Sequence, residues 1–169
     1  FQVAVHSDPP VWTSAVCVQK TKFLEIGGFP NGLKSGEDLL TWARLATIGN
    51  FSYCAKPFSI YWQENQTISN LYQIRIPDST DIVGKQLMII YRSETGRKKK
   101  WVIKYIGHWH KMRASAFLRL GMDKLALKEI FLALRYHSIY PIKLFLYFLM
   151  IFIPLKLRMY LFKYYNSIH

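Results

Sequence analysis

The sequence predicts an α+β chain, with strands gathered in a first part, residues 1–78, and helices filling a second, residues 79–169. Three observations carry that expectation. Short Val- and aromatic-rich runs, "FQVAV", "VWTSAVCVQ" and "NFSYCAKPFSIYWQ", lie in the first part among Pro, Gly and Asp breakers. After Asp78 the apolar residues recur at helical spacing instead. Charge divides at the same place. Residues 1–78 hold six Lys and Arg against six acids, so the whole formal charge of +13 falls after Asp78.

Taken in order, "FQVAV" is an expected strand ended by Asp8-Pro9-Pro10, and "VWTSAVCVQ" is a second. Lys20 to Ile26 is long enough for two helical turns, and Gly27-Gly28 end it. Pro30-Asn31-Gly32 is turn chemistry. In "SGEDLLTWARLATIGN", Ser35 is the expected helix cap, with Asp38 in the capping-box position three residues on. Leu39, Trp42, Ala43 and Ala46 then form an apolar stripe, and Gly49 stops the helix. A strand pair broken at Pro57 follows, with "ENQTISN" and "RIPDST" as polar loops.

The second part begins with a helix started by Ser79 or Thr80 and weakened mildly by Gly84. The basic run Arg97-Lys98-Lys99-Lys100 leads into a helix carrying Trp101, Tyr105, Trp109, Met112, Ala116 and Leu120. Gly121 ends it and Asp123 opens another through Arg135, so two antiparallel helices are expected. Pro141 introduces an apolar or amphipathic C-terminal helix over 141–165. Its uninterrupted apolar stretch, Leu144 to Leu155, covers about 18 Å against a bilayer core of about 30 Å. With Pro154 as a kink and Lys143, Lys156, Arg158 and Lys163 around it, an interfacial helix fits better than a span, and a buried core helix is the alternative.

Composition narrows the class. Half the residues are hydrophobic and 16% aromatic, which excludes a disordered chain. The basic second part faces phosphates or an anionic membrane surface. Its long apolar run argues against a nucleic-acid binder, and no nucleic acid is expected as a partner. Cys17 and Cys54 sit in apolar runs and read as buried reduced thiols, with a single disulfide as the alternative. Asn50 and Asn65 open glycosylation-type triplets, though Asn50 also suits a helix end. No secretory leader pattern is visible, and a start at Phe1 inside an expected strand reads as a piece of something longer.

Glu37-Asp38 raises the functional question. Acids in a first turn complement the helix dipole, worth roughly 0.3–1 kcal/mol. A carboxylate held at a pocket rim is also a general base for an attacking hydroxyl. The ordered set "VWTSAVCVQKTKFLEIGGFPNG", "SGEDLLTWARLATIGN" and "FSYCAKPFSIY" resembles the C-terminal half of a family-2 glycosyltransferase catalytic domain, over roughly residues 1–64. The resemblance implies a GT-A (Rossmann-like α/β) fold and inverting transfer of a sugar from a nucleotide-sugar donor to a glycan or lipid-linked acceptor. It makes Asp38 the catalytic base, with Glu37, Trp12, Thr13 and Trp42 as substrate-binding candidates. It also implies a divalent cation, Mn or Mg, in the full-length enzyme. The family's Asp-x-Asp motif is absent, since Asp78 and Asp81 are three apart, so the cation's ligands are expected outside this chain. The implied setting is cell-surface polysaccharide or glycan synthesis at the cytoplasmic face of the cell membrane. A non-catalytic basic helical module, binding membrane or a partner, is the alternative.

His6 reads as structural. His108 and His110, two apart on a helix, face different ways and make a poor metal pair. Residues 110–141 resemble a tetratricopeptide-like helix pair without a second copy, which predicts packing against the first part and the C-terminal helix.

Overall fold

A computed structural model describes residues 1–6, 11, 13–33, 35–54, 56, 59–60 and 76–168, with side chains described up to residue 162. Among these residues there are seven α-helices and no strand: α1 (Lys20–Glu25), α2 (Glu37–Ile48), α3 (Ile82–Ser93), α4 (Gly96–Arg119), α5 (Asp123–Arg135), α6 (Pro141–Met150) and α7 (Leu155–Ile168). The α+β expectation, and with it the GT-A half-domain, is overturned. Residues 1–6 close local turns instead, with Val5 N donating to Phe1 O at 3.2 Å and His6 N to Val3 O at 3.0 Å. Thr13–Ala15 form a short 3-10 turn, and 51–54 are irregular. A strand needs a neighbour for its backbone groups, whereas a turn or helix pairs them within the segment. The β-branched runs had the composition of strands but found no neighbour, and composition does not supply one. Lys56 is a bend, Ser59 and Ile60 are irregular, and the other residues of the expected strand pair lie outside the described residues.

With no sheet to cover them, Cys17 and Cys54 are exposed free thiols, not buried ones. The helix starts also differ from expectation. Gly36, not Ser35, caps α2, and Asp81, not Ser79 or Thr80, caps α3 by accepting Gly84 N at 3.1 Å. Asp78 Oδ1 takes the N–H and hydroxyl of Thr80, which occupies that residue in the preceding turn.

The chain divides into two compact units, Phe1–Val102 and Ile103–His169. In the first, α2 buries Leu40, Trp42, Ala43 and Leu45, and α3 buries Val83, Leu87 and Ile90 at helical spacing. Leu40 rather than Leu39 is the innermost residue of α2, so the buried stripe is turned from the one expected. Arg44 reaches Gln86 at 3.5 Å, while Lys98 Nζ donates to Thr47 O at 3.1 Å.

In the second unit, Ala114, Phe117 and Leu118 of α4 pack with Ala126, Ile130 and Ala133 of α5 and with Leu144 and Tyr147 of α6. The small alanines let the helices approach, and the expected hairpin thus covers itself with α6. The expected helix over 141–165 is two helices. α6 ends at Met150, and Pro154, which has no N–H to give, precedes α7. Arg158, expected as a flanking cation, is 2% exposed.

Gly107 marks a close backbone approach in this unit. A Cβ there would lie 2.8 Å from both Tyr136 O and Ser138 N, backbone atoms of the α5–α6 connection. Gly107→Ala is therefore expected to destabilise the chain by about 1–3 kcal/mol, because backbone cannot yield as a side chain does. A lowered urea midpoint at unchanged m value checks it.

Candidate functional site

The site read from the sequence lies at the start of α2. Gly36 adopts φ +83°, a left-handed conformation that other L-residues resist, and so turns the chain sharply into the helix. Glu37 and Asp38 are thereby the first two residues of α2, each half-buried. Thr41 Oγ1 donates to Glu37 O at 2.7 Å and ties down the first turn.

The two carboxylates divide their work. Asp38 Oδ1 accepts Leu39 N at 2.7 Å and so satisfies one of the helix's open N–H groups. Among the described residues Asp38 makes no other side-chain hydrogen bond, which leaves Oδ2 unpaired. Glu37 Oε2 is buried and has no hydrogen-bond partner. An unpaired buried carboxylate oxygen is costly, and such atoms call for a reason. The structural and chemical roles of the acidic pair are therefore compatible: one oxygen caps the helix while two others stay unpaired.

The remaining candidates are placed unevenly. Trp42 stands one turn after Asp38 on α2 but is 7% exposed. Its ring meets Phe29 edge-on at 6.0 Å, and Phe29 meets Phe23 of α1 at 5.3 Å. That trio fixes α1 and the turn after it against α2. Trp42 consequently offers no ring face for stacking on a sugar, but its buried Nε1 lacks a hydrogen-bond partner and remains a donor. Thr13 is exposed in its 3-10 turn, and its side chain makes no hydrogen bond among the described residues, so the structure does not tie it to Asp38. Trp12 lies outside the described residues.

A cleft of about 310 Å³ in the same unit is lined by Gln2, Ala46, Phe51, Arg97, Lys98 and Trp101, among others, and by neither Glu37 nor Asp38. It is walled by the far end of α2 and the start of α4. Nothing in the sequence singled it out.

His6, His108 and His110 each meet an aromatic ring. His6 is exposed and sits edge-on to Trp101 at 6.0 Å. His108 faces Tyr140, whereas His110 stacks on Tyr136 at 5.4 Å and places Nδ1 2.6 Å from Glu129 Oε2. The two rings thus diverge, as their spacing predicts. Among the described residues no group of three His, Cys, Asp or Glu could hold a metal ion.

Glu129 was not singled out by the sequence reading. It is buried, and its other oxygen accepts Arg113 Nε at 2.9 Å. The signal was present: Glu129 falls on the Ala126–Ile130–Ala133 stripe of α5, where an acid needs a partner. No family model, curated protein or solved structure matches the chain.

Proposed function

We propose that the chain is the acceptor side of an inverting family-2 glycosyltransferase, with Asp38 as the general base. The observation that carries this reading is the adjacent pair of unpaired carboxylate oxygens, Glu37 Oε2 and Asp38 Oδ2, at the start of α2. Support also comes from the ordered resemblance of the surrounding residues. Two of its helical pieces, α1 and α2, stand where the motifs put them. The strands among the matching features are overturned, so what remains of the resemblance is the two helices and the acidic pair.

Asp38 Oδ2 takes the proton of the acceptor hydroxyl as its oxygen bonds to the anomeric carbon of the donor sugar. The bond from that carbon to the diphosphate oxygen breaks, the nucleoside diphosphate leaves, and the configuration inverts. Glu37 Oε2 accepts a hydrogen bond from a neighbouring hydroxyl of the acceptor. Trp42 Nε1 is a donor on the same helix. Among the described residues no group of three His, Cys, Asp or Glu could hold the divalent cation, and this reading gives neither it nor the nucleotide sugar to the residues named here.

Asp38→Asn in the full-length protein is expected to lower sugar transfer at least about a hundredfold. An amide keeps the hydrogen bond to Leu39 N but does not take the proton. Far-UV circular dichroism should be unchanged, and transfer retained in a folded variant would overturn the assignment. The non-catalytic module would then be the better reading.

A further inference from the structure

We infer that the outward face of α6 docks the second unit onto the surface of an anionic lipid bilayer. This inference is independent of the role of Asp38. Ile142, Phe145, Leu146 and Leu149 recur at i, i+3, i+4 and i+7, one face of the helix, and all four are exposed. Phe152, in the turn that follows, is 73% exposed. The opposite face carries Leu144 and Tyr147 into the core, so α6 is apolar on both faces, with Lys143 its single charged residue, and only one face is covered by protein. A contiguous apolar face of this kind on a folded unit marks an interaction surface.

Charge identifies the occupant. Residues 103–169 hold eleven Lys and Arg against two acids, a net of +9. Both acids are already engaged, Asp123 with Arg158 at 2.6 Å and Glu129 with Arg113 at 2.9 Å. Lys124, Lys128, Arg135 and Lys156 are exposed, so the surface carries cations with no acid left to balance them. A second copy of the chain would bring two such fields together and is disfavoured. Nucleic acid would satisfy the cations but leave Ile142, Leu146 and Leu149 in water. An anionic bilayer takes both: headgroups meet the lysines, and the acyl boundary receives the apolar row.

Length sets the mode of contact. The ten residues of α6 extend about 15 Å, half of a bilayer core of about 30 Å. Among the described residues no helix is long and apolar enough to cross a membrane. The helix therefore lies in the plane of the interface.

The test is sedimentation of the full chain with vesicles of phosphatidylglycerol and phosphatidylcholine, against phosphatidylcholine alone, at matched salt. Binding to the anionic vesicles, weakened by added NaCl, is expected. Phe145→Ser with Leu149→Ser should weaken it by about tenfold or more at an unchanged melting temperature. Should that pair misfold, Lys124→Glu with Lys128→Glu reads the electrostatic contribution, and the same loss is expected. Equal binding to both vesicle types, or unchanged binding by a folded variant of either pair, would overturn the inference. So would a dimer that the Phe145 and Leu149 substitutions dissociate, or RNA binding without vesicle binding.

Discussion

Arg158→Ala is expected to lower the stability of the chain by about 3–5 kcal/mol, which is enough to unfold a marginal domain. The guanidinium is 2% exposed and donates four hydrogen bonds. Nη1 serves Asp123 Oδ1 at 2.6 Å and Leu118 O at 2.9 Å; Nη2 serves Ile153 O at 3.0 Å and Ile151 O at 3.1 Å. One side chain of α7 thus closes the end of α4, the start of α5 and the turn after α6. Alanine leaves three carbonyls and a carboxylate without that donor, and it opens a cavity of guanidinium size. Arg158→Lys keeps the charge but not the planar fork, and it is expected to recover less than half of the loss. Urea denaturation followed by far-UV circular dichroism checks both. A lysine variant as stable as the original would show that charge, not geometry, is what the site needs.

Glu129→Ala is expected to cost a similar amount, about 3–5 kcal/mol, for a different reason. Glu129 is the sole acid between Asp123 and the end of the chain, and it answers two buried groups at once. His110 Nδ1 lies 2.6 Å from one oxygen and Arg113 Nε 2.9 Å from the other. A carboxylate only accepts, so His110 is the donor in its pair. Removing the acid takes its 2.9 Å ion pair from the buried Arg113, with the rings of Trp109 and Phe117 still beside the guanidinium at 5.8 and 5.4 Å. Cation–π contact compensates part of a lost ion pair, not all of it. Replacing Arg113 by Met and Glu129 by Leu together should cost much less than Glu129→Ala alone, since no buried charge is then left over. A double-mutant cycle by urea denaturation measures that difference. If the single and double variants were equally destabilised, packing volume rather than charge would set the role of Glu129.

The acidic pair at the start of α2 shows how far local chemistry reaches. Its position in a first turn was legible, because a Gly-rich turn before an apolar helical stripe is a signal contained in about a dozen residues. That Asp38 spends one oxygen on Leu39 N also follows from local geometry. The orphaned Glu37 Oε2 and the burial of the Trp42 ring do not, because each depends on what packs over the helix. Trp42 therefore moved from a substrate-binding candidate to a buried member of an aromatic trio, and the sequence carried no means of choosing between them.

The sequence by itself determined the helices whose ends it writes in local code. α5 runs from Asp123 to Arg135 as its acid and apolar spacing specify, α6 begins at Pro141, and α4 gives way at Gly121. These signals act within one turn, through caps, dihedral limits and missing N–H groups. Only the tertiary structure decided that the Val-rich runs of the first part are not strands, since a strand exists through a neighbour distant in sequence. It alone set Arg158 against Leu118, forty residues away, and Glu129 against Arg113, sixteen away. Residue type tells that a cation is present, but whether it faces water or closes a core depends on which distant backbone comes to meet it.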